Sequence, residues 1–546
     1  MATTTLKASN DPFFSVQEAT YDLLRRLGLT TIFGNLGSTE LPFLKNFPSD
    51  FQYILALQEA SAVAMADAHA QATGKPTLVN LHTFAGIGNG MGNIPGAHMN
   101  KSPLIILGGQ QTREMLVGDV YLTNVDETTL PKPWVKWAYQ PVRAEDVPAA
   151  VMRAYATALQ PPAGPVFISV PLDDWDKPAS GSAVVRTVST RVAPDPERVK
   201  IFADKIAGAR NPVLIYGPGL EKAGGWDVGV RFAEKLQAPV LFSPFTERIS
   251  FPVTHQQFQG SLPPAIGPAS ERLRGFDLAI VVGAQVFRYY PYVAGSYLPD
   301  GTELLQITSD PTEAGTAFVG DSMLGDPHLA LKALIDLVPE NTEREWPSVR
   351  LPPLKVSSDG DVLYADEAFA TLAESRPADA ILVTESTSNV TELLNVWAIT
   401  APGSYYSFAS GGLGWGAPAA VGVALALKTQ GVKRPVVAVI GDGAFQYSIQ
   451  CLYTAVQHNL PVVFVVVRNG EYGVLKDFAV LEHAPKAPGM DLPGLDIPST
   501  AKGFGCRAIV AKSKTEVREA FVAALGADSP TVITVPVKPE IRPLAQ

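Results

Sequence analysis

With 546 residues, 46% of them apolar and only 18% charged, the chain is far from a disordered composition, which is poor in aromatic and β-branched residues. At about 150 residues per domain, its length corresponds to three or four compact units. The balance of 43 Lys and Arg against 53 Asp and Glu leaves −10, and with no basic block to neutralise phosphates, nucleic acid is excluded as a main partner.

The opening MATTTLKASNDPFF lacks the charged-then-apolar order of a secretory signal. No stretch approaches the roughly 18 apolar residues of a membrane span, and PVVFVVV at 461–467 is strand-sized. Cys451 and Cys506 are the only cysteines, too few for a disulfide framework or a thiolate cluster. The expectation is a cytoplasmic protein without a membrane partner.

In chain order, Thr30 to Phe33 and Tyr53 to Leu57 read as strands, and an Ala-rich helix follows over Glu59 to Ala72. Further strands fall at 77–81, 104–107 and 166–170. Strands alternating with helices imply βαβ units and a parallel sheet. PLDDWDKPASGSA, 171–183, is polar and reads as a linker. A second αβ block opens near Pro194, with strands in VLIYGPG (213–219), LAIVVGA (278–284) and LLQITSD (304–310). A second linker, rich in Pro, Ser and charge, covers 339–362. The third block runs from AILVTESTS (380–388) through VVAVIGDG (436–443) and PVVFVVVRNG (461–470) to TVITVPV (531–537). These patterns predict three doubly wound α/β domains in series, at 1–182, 190–340 and 360–546.

Gly441-Asp442-Gly443 ends one apolar strand and Arg468-Asn469-Gly470 the next, with a helix-like stretch at 447–458 between them. Ends of adjacent parallel strands share an edge, so Asp442 and Asn469 can converge. A carboxylate and an amide oxygen suit Mg²⁺, which keeps positions for water and phosphate oxygens. The two glycines let backbone N–H groups approach a phosphate. The plainer alternative is a strand-to-helix turn. Gly217-Pro218-Gly219 is a weak dinucleotide signal, because ordered G-x-G-x-x-G is absent.

Glu59 opens a helix, where a carboxylate ordinarily complements the helix dipole; buried, it could exchange a proton with a heterocycle nitrogen. His82 follows strand 77–81, and Ser38 in FGNLGSTE follows the first strand, where Ser is usually an N-cap. Together Ser38, Glu59 and His82 fall at one edge of one predicted sheet, where ligands of α/β proteins bind.

On these residues the chain resembles the thiamine-diphosphate-dependent decarboxylases. FGNLGSTELPFLKNFPSDFQYILALQEA, LVNLHTFAGIGNGMGNIPGA, LTNVDETTLPKPWVKW, GSYYSFASGGLGWGAPAA and GDGAFQYSIQ are similar to segments of the benzoylformate decarboxylases. The resemblance implies pyrimidine-binding, central and diphosphate-binding domains. It implies that Glu59 meets the cofactor's aminopyrimidine, and that Asp442, Asn469 and the backbone carbonyl of Glu471 bind Mg²⁺. Thr387, Ser388, Gly411, Gly443, Ala444, Tyr472, Gly473 and Val474 would line the cofactor, and Leu413 would prop it in a bent form. Ser38, His82 and Tyr290 would face the substrate.

The chain departs from the family pattern at four places. Arg468 replaces the first residue of an Asn-Asn pair, and Leu36 a Pro. Val474 stands for a smaller Ala. Tyr290, in FRYYPY, stands for a second His, and a phenol does not titrate near neutrality. Phe84, Tyr121, Tyr290 and Phe478 are aromatic candidates for the pocket or the core. The resemblance implies non-oxidative decarboxylation of an aromatic 2-oxo acid, benzoylformate to benzaldehyde and CO₂, with carboligation as a side activity. It also implies a homo-oligomer, a tetramer, with the active site between subunits. A carboligase or lyase on 2-hydroxy ketones or acyl-CoA substrates would share the motifs. A cofactor-binding regulatory protein would not require Glu59.

Overall fold

The computed structural model describes residues 14–341, 353–357, 362–542 and 544. Much of the linker expected at 339–362, and all but the last residue of the opening segment, lie outside the described residues. Three six-stranded parallel sheets follow one another along the chain. The first contains β1 Thr31–Asn35, β2 Gln52–Leu55, β3 Thr77–Leu81, β4 Leu104–Gln110, β5 Ala138–Tyr139 and β6 Val166–Pro171, in the order β2-β1-β3-β4-β6-β5. The second contains β7 Pro212–Tyr216, β8 Val240–Phe242, β9 Phe258–Ser261, β10 Leu278–Val282, β11 Glu303–Thr308 and β12 Asp321–Leu324, in the order β12-β11-β10-β7-β8-β9. The third contains β13 Ile381–Glu385, β14 Tyr405–Tyr406, β15 Val436–Gly441, β16 Val462–Arg468, β17 Arg507–Val510 and β18 Thr531–Pro536, in the order β14-β13-β15-β16-β18-β17.

Central strands are buried along most of their length because helices cover both faces. In β16, Val462 to Val467 are all buried. These long runs are the strands the sequence predicts. Edge strands β5, β9, β12, β14 and β17 are short or partly exposed, so hydropathy alone does not mark them.

The first and third sheets share one strand order, and equivalent helices join them. Helix Glu59–Thr73 follows β2 and helix Gly416–Gln430 follows β14. Both are buried along most of their length, and they pack on each other. A Cβ added to Gly422 would lie 2.1 Å from the Met65 carbonyl oxygen, so only glycine permits this approach. Asp67, fully buried, crosses the seam: its carboxylate accepts from Asn100 Nδ2 and Trp415 Nε1, each at 2.7 Å, and from Ser102.

In the central sheet, the Gly219 N–H donates to the Gly283 carbonyl at 2.8 Å, so the turns after β7 and β10 close on each other. The glycines of the weak dinucleotide signal therefore serve backbone packing. The segment 171–183 differs from a free linker. Leu172–Asp176 forms a 3-10 turn, Trp175 is buried with its ring 4.6 Å from Phe43, and Asp174 pairs with Arg113 at 2.7 Å. The stretch 447–458 is also not one helix. Short helices Asp442–Gln446 and Cys451–Gln457 flank a turn, where Ser448 Oγ donates to the Gly414 carbonyl at 2.6 Å. Both cysteines are free and buried. Among the described residues, no helix is long and apolar enough to cross a membrane.

Candidate active site

Ser38, Glu59 and His82 follow the carboxyl ends of three neighbouring strands, β1, β2 and β3. Glu59 is 8% exposed and opens its helix, with Gln58 as the cap. Both of its oxygens are held by amides: Asn35 Nδ2 donates to Oε1 at 3.1 Å and Asn89 Nδ2 to Oε2 at 3.0 Å. Two neutral donors orient the carboxylate, and among the described residues no cation pairs with it. Sequence reasoning missed both asparagines. Asn35 is the last residue of β1 and lies on the ligand-binding edge, which is the signal that could have found it.

His82 is oriented by a buried network. Its Nδ1 lies 2.9 Å from Glu40 Oε2 and 3.0 Å from Thr39 Oγ1, and Thr39 donates to Glu40 Oε1 at 2.7 Å. Glu40 also accepts the Gly37 N–H at 2.8 Å. The Glu40 carboxylate at Nδ1 favours the tautomer with the proton on that nitrogen, and Nε2 lies outside this network. Ser38 does not act as an N-cap. It is the exposed first residue of the 3-10 turn Ser38–Glu40, and Gly37 and the Glu40 side chain do the capping. The cause is the spacing: Glu40 stands three residues after Gly37, where a side chain reaches back to the cap N–H.

At the carboxyl edge of the third sheet, β13, β15 and β16 lie side by side, with Glu385 opposite Ile440 and Gly441 opposite Val467. The turn 387–389, Asp442 and Asn469 therefore meet. Asp442 is 2% exposed, and its carboxylate accepts the N–H groups of Gly443 at 3.0 Å and Gly470 at 2.9 Å. Burial raises its pKa, an effect that those N–H groups and Arg468 oppose. Asn469 Oδ1 accepts the Glu471 N–H at 3.1 Å. The Glu471 carboxylate is turned to Lys476, which leaves the main-chain carbonyl as the oxygen of this residue that could hold a metal. Two side-chain oxygens and a carbonyl form a hard donor set. Among the described residues, this site included, no three His, Cys, Asp or Glu converge on a metal position.

Two glycines let the neighbouring side chains close on this turn. A Cβ on Gly443 would stand 2.5 Å from the Tyr472 ring. One on Gly473 would stand 3.0 Å from both Asn469 Nδ2 and Ser388 Oγ. Thr387 is exposed, Ser388 and Val474 are half-buried, and Ala444 is buried. Gly411, at φ +73°, begins the turn carrying half-buried Leu413. That turn is clamped by Glu385, another residue the sequence did not mark. Its carboxylate accepts the N–H groups of Gly414 and Gly416, both at 2.6 Å. Burial pushes Glu385 up to about 7, while these donors pull it down.

Tyr290 is 61% exposed, and its ring centroid lies 4.7 Å from that of Phe478. It thus sits beside helix Gly473–Leu481 of the third domain. Tyr121, Phe84 and Leu36 are exposed, so none of them is core.

Three family models match the chain: Thiamine pyrophosphate enzyme, N-terminal TPP binding domain, over 14–130; the central domain over 199–334; and the C-terminal TPP binding domain over 386–535. Benzoylformate decarboxylase of Pseudomonas aeruginosa is 45% identical over 525 residues, covering 96% of this chain and 98% of its own. The crystal structure of benzoylformate decarboxylase from Polynucleobacter necessarius superposes with a TM-score of 0.95 at 48% identity, covering 97% of this chain and 100% of that one. The thiamine diphosphate-dependent 4-hydroxybenzoylformate decarboxylase of Rhodococcus jostii RHA1 gives 0.92 at 40% identity, with 96% and 99% covered.

Proposed function

The chain belongs to the thiamine pyrophosphate enzymes, and within them to the benzoylformate decarboxylase family; on that premise we propose how its residues decarboxylate an aromatic 2-oxo acid. The reaction is a non-oxidative carbon–carbon cleavage, with benzoylformate giving benzaldehyde and CO₂. Thiamine diphosphate, when bound, supplies the electron sink for the pair that the departing carboxylate leaves behind.

The protein's part is to hold, orient and move protons. Asp442, Asn469 and the Glu471 carbonyl would hold Mg²⁺, and Thr387, Ser388 and the backbone of Gly443 and Ala444 would hold the diphosphate. Gly411, Tyr472, Gly473 and Val474 would line the cofactor, and Leu413 would support it. Glu59, held by Asn35 and Asn89, would hold or release a proton toward the aminopyrimidine. His82 Nε2 and the free Ser38 hydroxyl serve the substrate carboxylate and the developing oxyanion. Tyr290 and Phe478 offer aromatic faces to the substrate ring.

The observation that carries this reading is the pairing of two edges. One holds an oriented, cation-free carboxylate at Glu59; the other holds a buried carboxylate at Asp442 with oxygen donors beside it. The active unit is a homo-oligomer, with the first domain of one subunit facing the third of another, and a tetramer is the proposed assembly. Exposed apolar side chains support such a contact: Leu36, Leu41 and Leu57 on the first domain, Leu475 and Val480 on the third. The proposed site of action is the cytoplasm.

Tyr290 favours one secondary reading. A phenol in place of an imidazole slows a proton step, and carboligation with an aldehyde would then compete with release. The test is turnover of benzoylformate by purified protein reconstituted with thiamine diphosphate and Mg²⁺, read through a coupled alcohol dehydrogenase. Rapid benzaldehyde release is expected. Bound cofactor without release would overturn the substrate assignment and put carboligation first.

A further inference from the structure

After β18 the chain stays on the carboxyl edge of the third sheet. The Val537 N–H donates to the Arg468 carbonyl at 2.9 Å and the Lys538 N–H to the Leu363 carbonyl at 2.8 Å. Arg542 then gathers three separate elements. Its guanidinium donates to the Ser388 carbonyl at 3.1 Å and ion-pairs with Glu392, in helix Val390–Val396, and with Glu540 at 2.9 Å. Asn389, with its amide oxygen turned to the guanidinium, accepts at 3.0 and 3.2 Å. The Arg542 backbone N–H donates to Asp477 Oδ1, in helix Gly473–Leu481, at 2.6 Å.

The charges around it are unbalanced. Glu392, Glu540 and Asp366, the last 3.9 Å away, surround this guanidinium, and Asp477 holds the main-chain N–H of the same residue. Lys355 Nζ, 2.7 Å from Glu540, is a further cation in contact with the group. Remove the Arg542 charge, and this carboxylate cluster faces the turn 387–389 without its guanidinium. An anionic ligand at that turn would be repelled. A planar guanidinium suits the task because its fork of donors meets several oxygens in one plane.

We propose that Arg542 is a positioning residue for the cofactor's diphosphate: it clasps the turn 387–389 to helix Gly473–Leu481 and neutralises the acidic cluster beside Ser388. The inference rests on the reading that this turn takes the diphosphate. Arg542 does not touch the cofactor; it acts through Ser388, Asn389 and the local charge.

Isothermal titration of thiamine diphosphate with Mg²⁺ into the full-length apoprotein tests it, alongside kcat at saturating cofactor. Arg542→Ala is expected to weaken cofactor binding by about tenfold or more, the scale of a lost charged hydrogen bond, with kcat near that of the parent. Arg542→Lys restores the charge but not the fork and recovers part of the affinity. Arg542→Ala/Glu392→Gln removes one repelling charge and also recovers part. Unchanged affinity in Arg542→Ala overturns the clasp. If that variant melts early, the double variant decides: recovered affinity upholds the clasp, and undiminished loss overturns it. A parent protein that does not bind thiamine diphosphate overturns the cofactor reading and this inference with it, whereas failure of the variant contrast alone overturns only the clasp.

Discussion

The carboxylate of Glu40, 1% exposed, lies 2.9 Å from Nδ1 of His82. A buried acid behind an imidazole sets which nitrogen carries the proton and where the other one points. Thr39 completes the arrangement by donating to the same carboxylate. His82 is therefore held by residues that reach it through the turn after β1.

Glu40→Gln should lower kcat while leaving cofactor affinity near that of the parent. The amide keeps the size but weakens the hold on Nδ1–H, so the loss should stay below the about 10²- to 10⁴-fold that a positioned acid–base group contributes and that His82→Ala should show. Steady-state kinetics beside calorimetric cofactor titration would check it. A Glu40→Gln enzyme with the parent's kcat would remove Glu40 from the mechanism.

Glu59→Gln should collapse turnover by about 10²-fold or more and leave thiamine diphosphate binding largely intact. The amide preserves shape but cannot exchange the proton. Asn35→Ala should give a smaller fall, since Asn89 still holds Oε2. Parent-like turnover in Glu59→Gln would refute the assigned role.

Metal removal should act through Asp442. Incubation with a chelator should abolish activity, and added Mg²⁺ should restore it. Thiamine diphosphate with Mg²⁺ at about 100 times its Kd should stabilise the fold by about 2.7 kcal/mol, visible as a raised melting temperature. Asp442→Ala should lose that rise. A variant that still shows the full rise would show that the cofactor is held elsewhere.

Glu385 should make stability depend on pH. Its folded value of about 7 stands above the ordinary 4.5. Its contribution is therefore complete below 4.5 and is lost as pH rises toward about 7. Glu385→Gln does not titrate there. The parent's advantage over this variant should shrink by up to about 3 kcal/mol between pH of about 4.5 and 7, as read from urea midpoints. Parallel pH profiles for the two proteins would contradict this.

Tyr290 and Phe478 face each other at 4.7 Å, and an aromatic pair contributes about 0.5–1.5 kcal/mol. Phe478→Ala should therefore raise KM for benzoylformate by up to about tenfold, with a smaller effect on an aliphatic 2-oxo acid. Equal effects on both substrates would show that the pair does not read the aromatic ring.

By itself, the amino-acid sequence determined the three parallel α/β blocks, because helix-covered central strands must be continuous apolar runs such as Val462 to Val467. It also placed Asp442 beside Asn469, and Ser38, Glu59 and His82 along one edge, because adjacent parallel strands end on the same side. Only the tertiary structure decided what holds those groups. Asn35 and Asn89 on Glu59, Glu40 on His82, Glu385 on the Leu413 turn, and Arg542 on Ser388 are contacts between segments whose spacing carries no period. Hydropathy and strand ends are local properties, written residue by residue. A buried polar group takes whichever partner the packing brings within about 3 Å, and that choice exists only once the sheets and helices have closed around it.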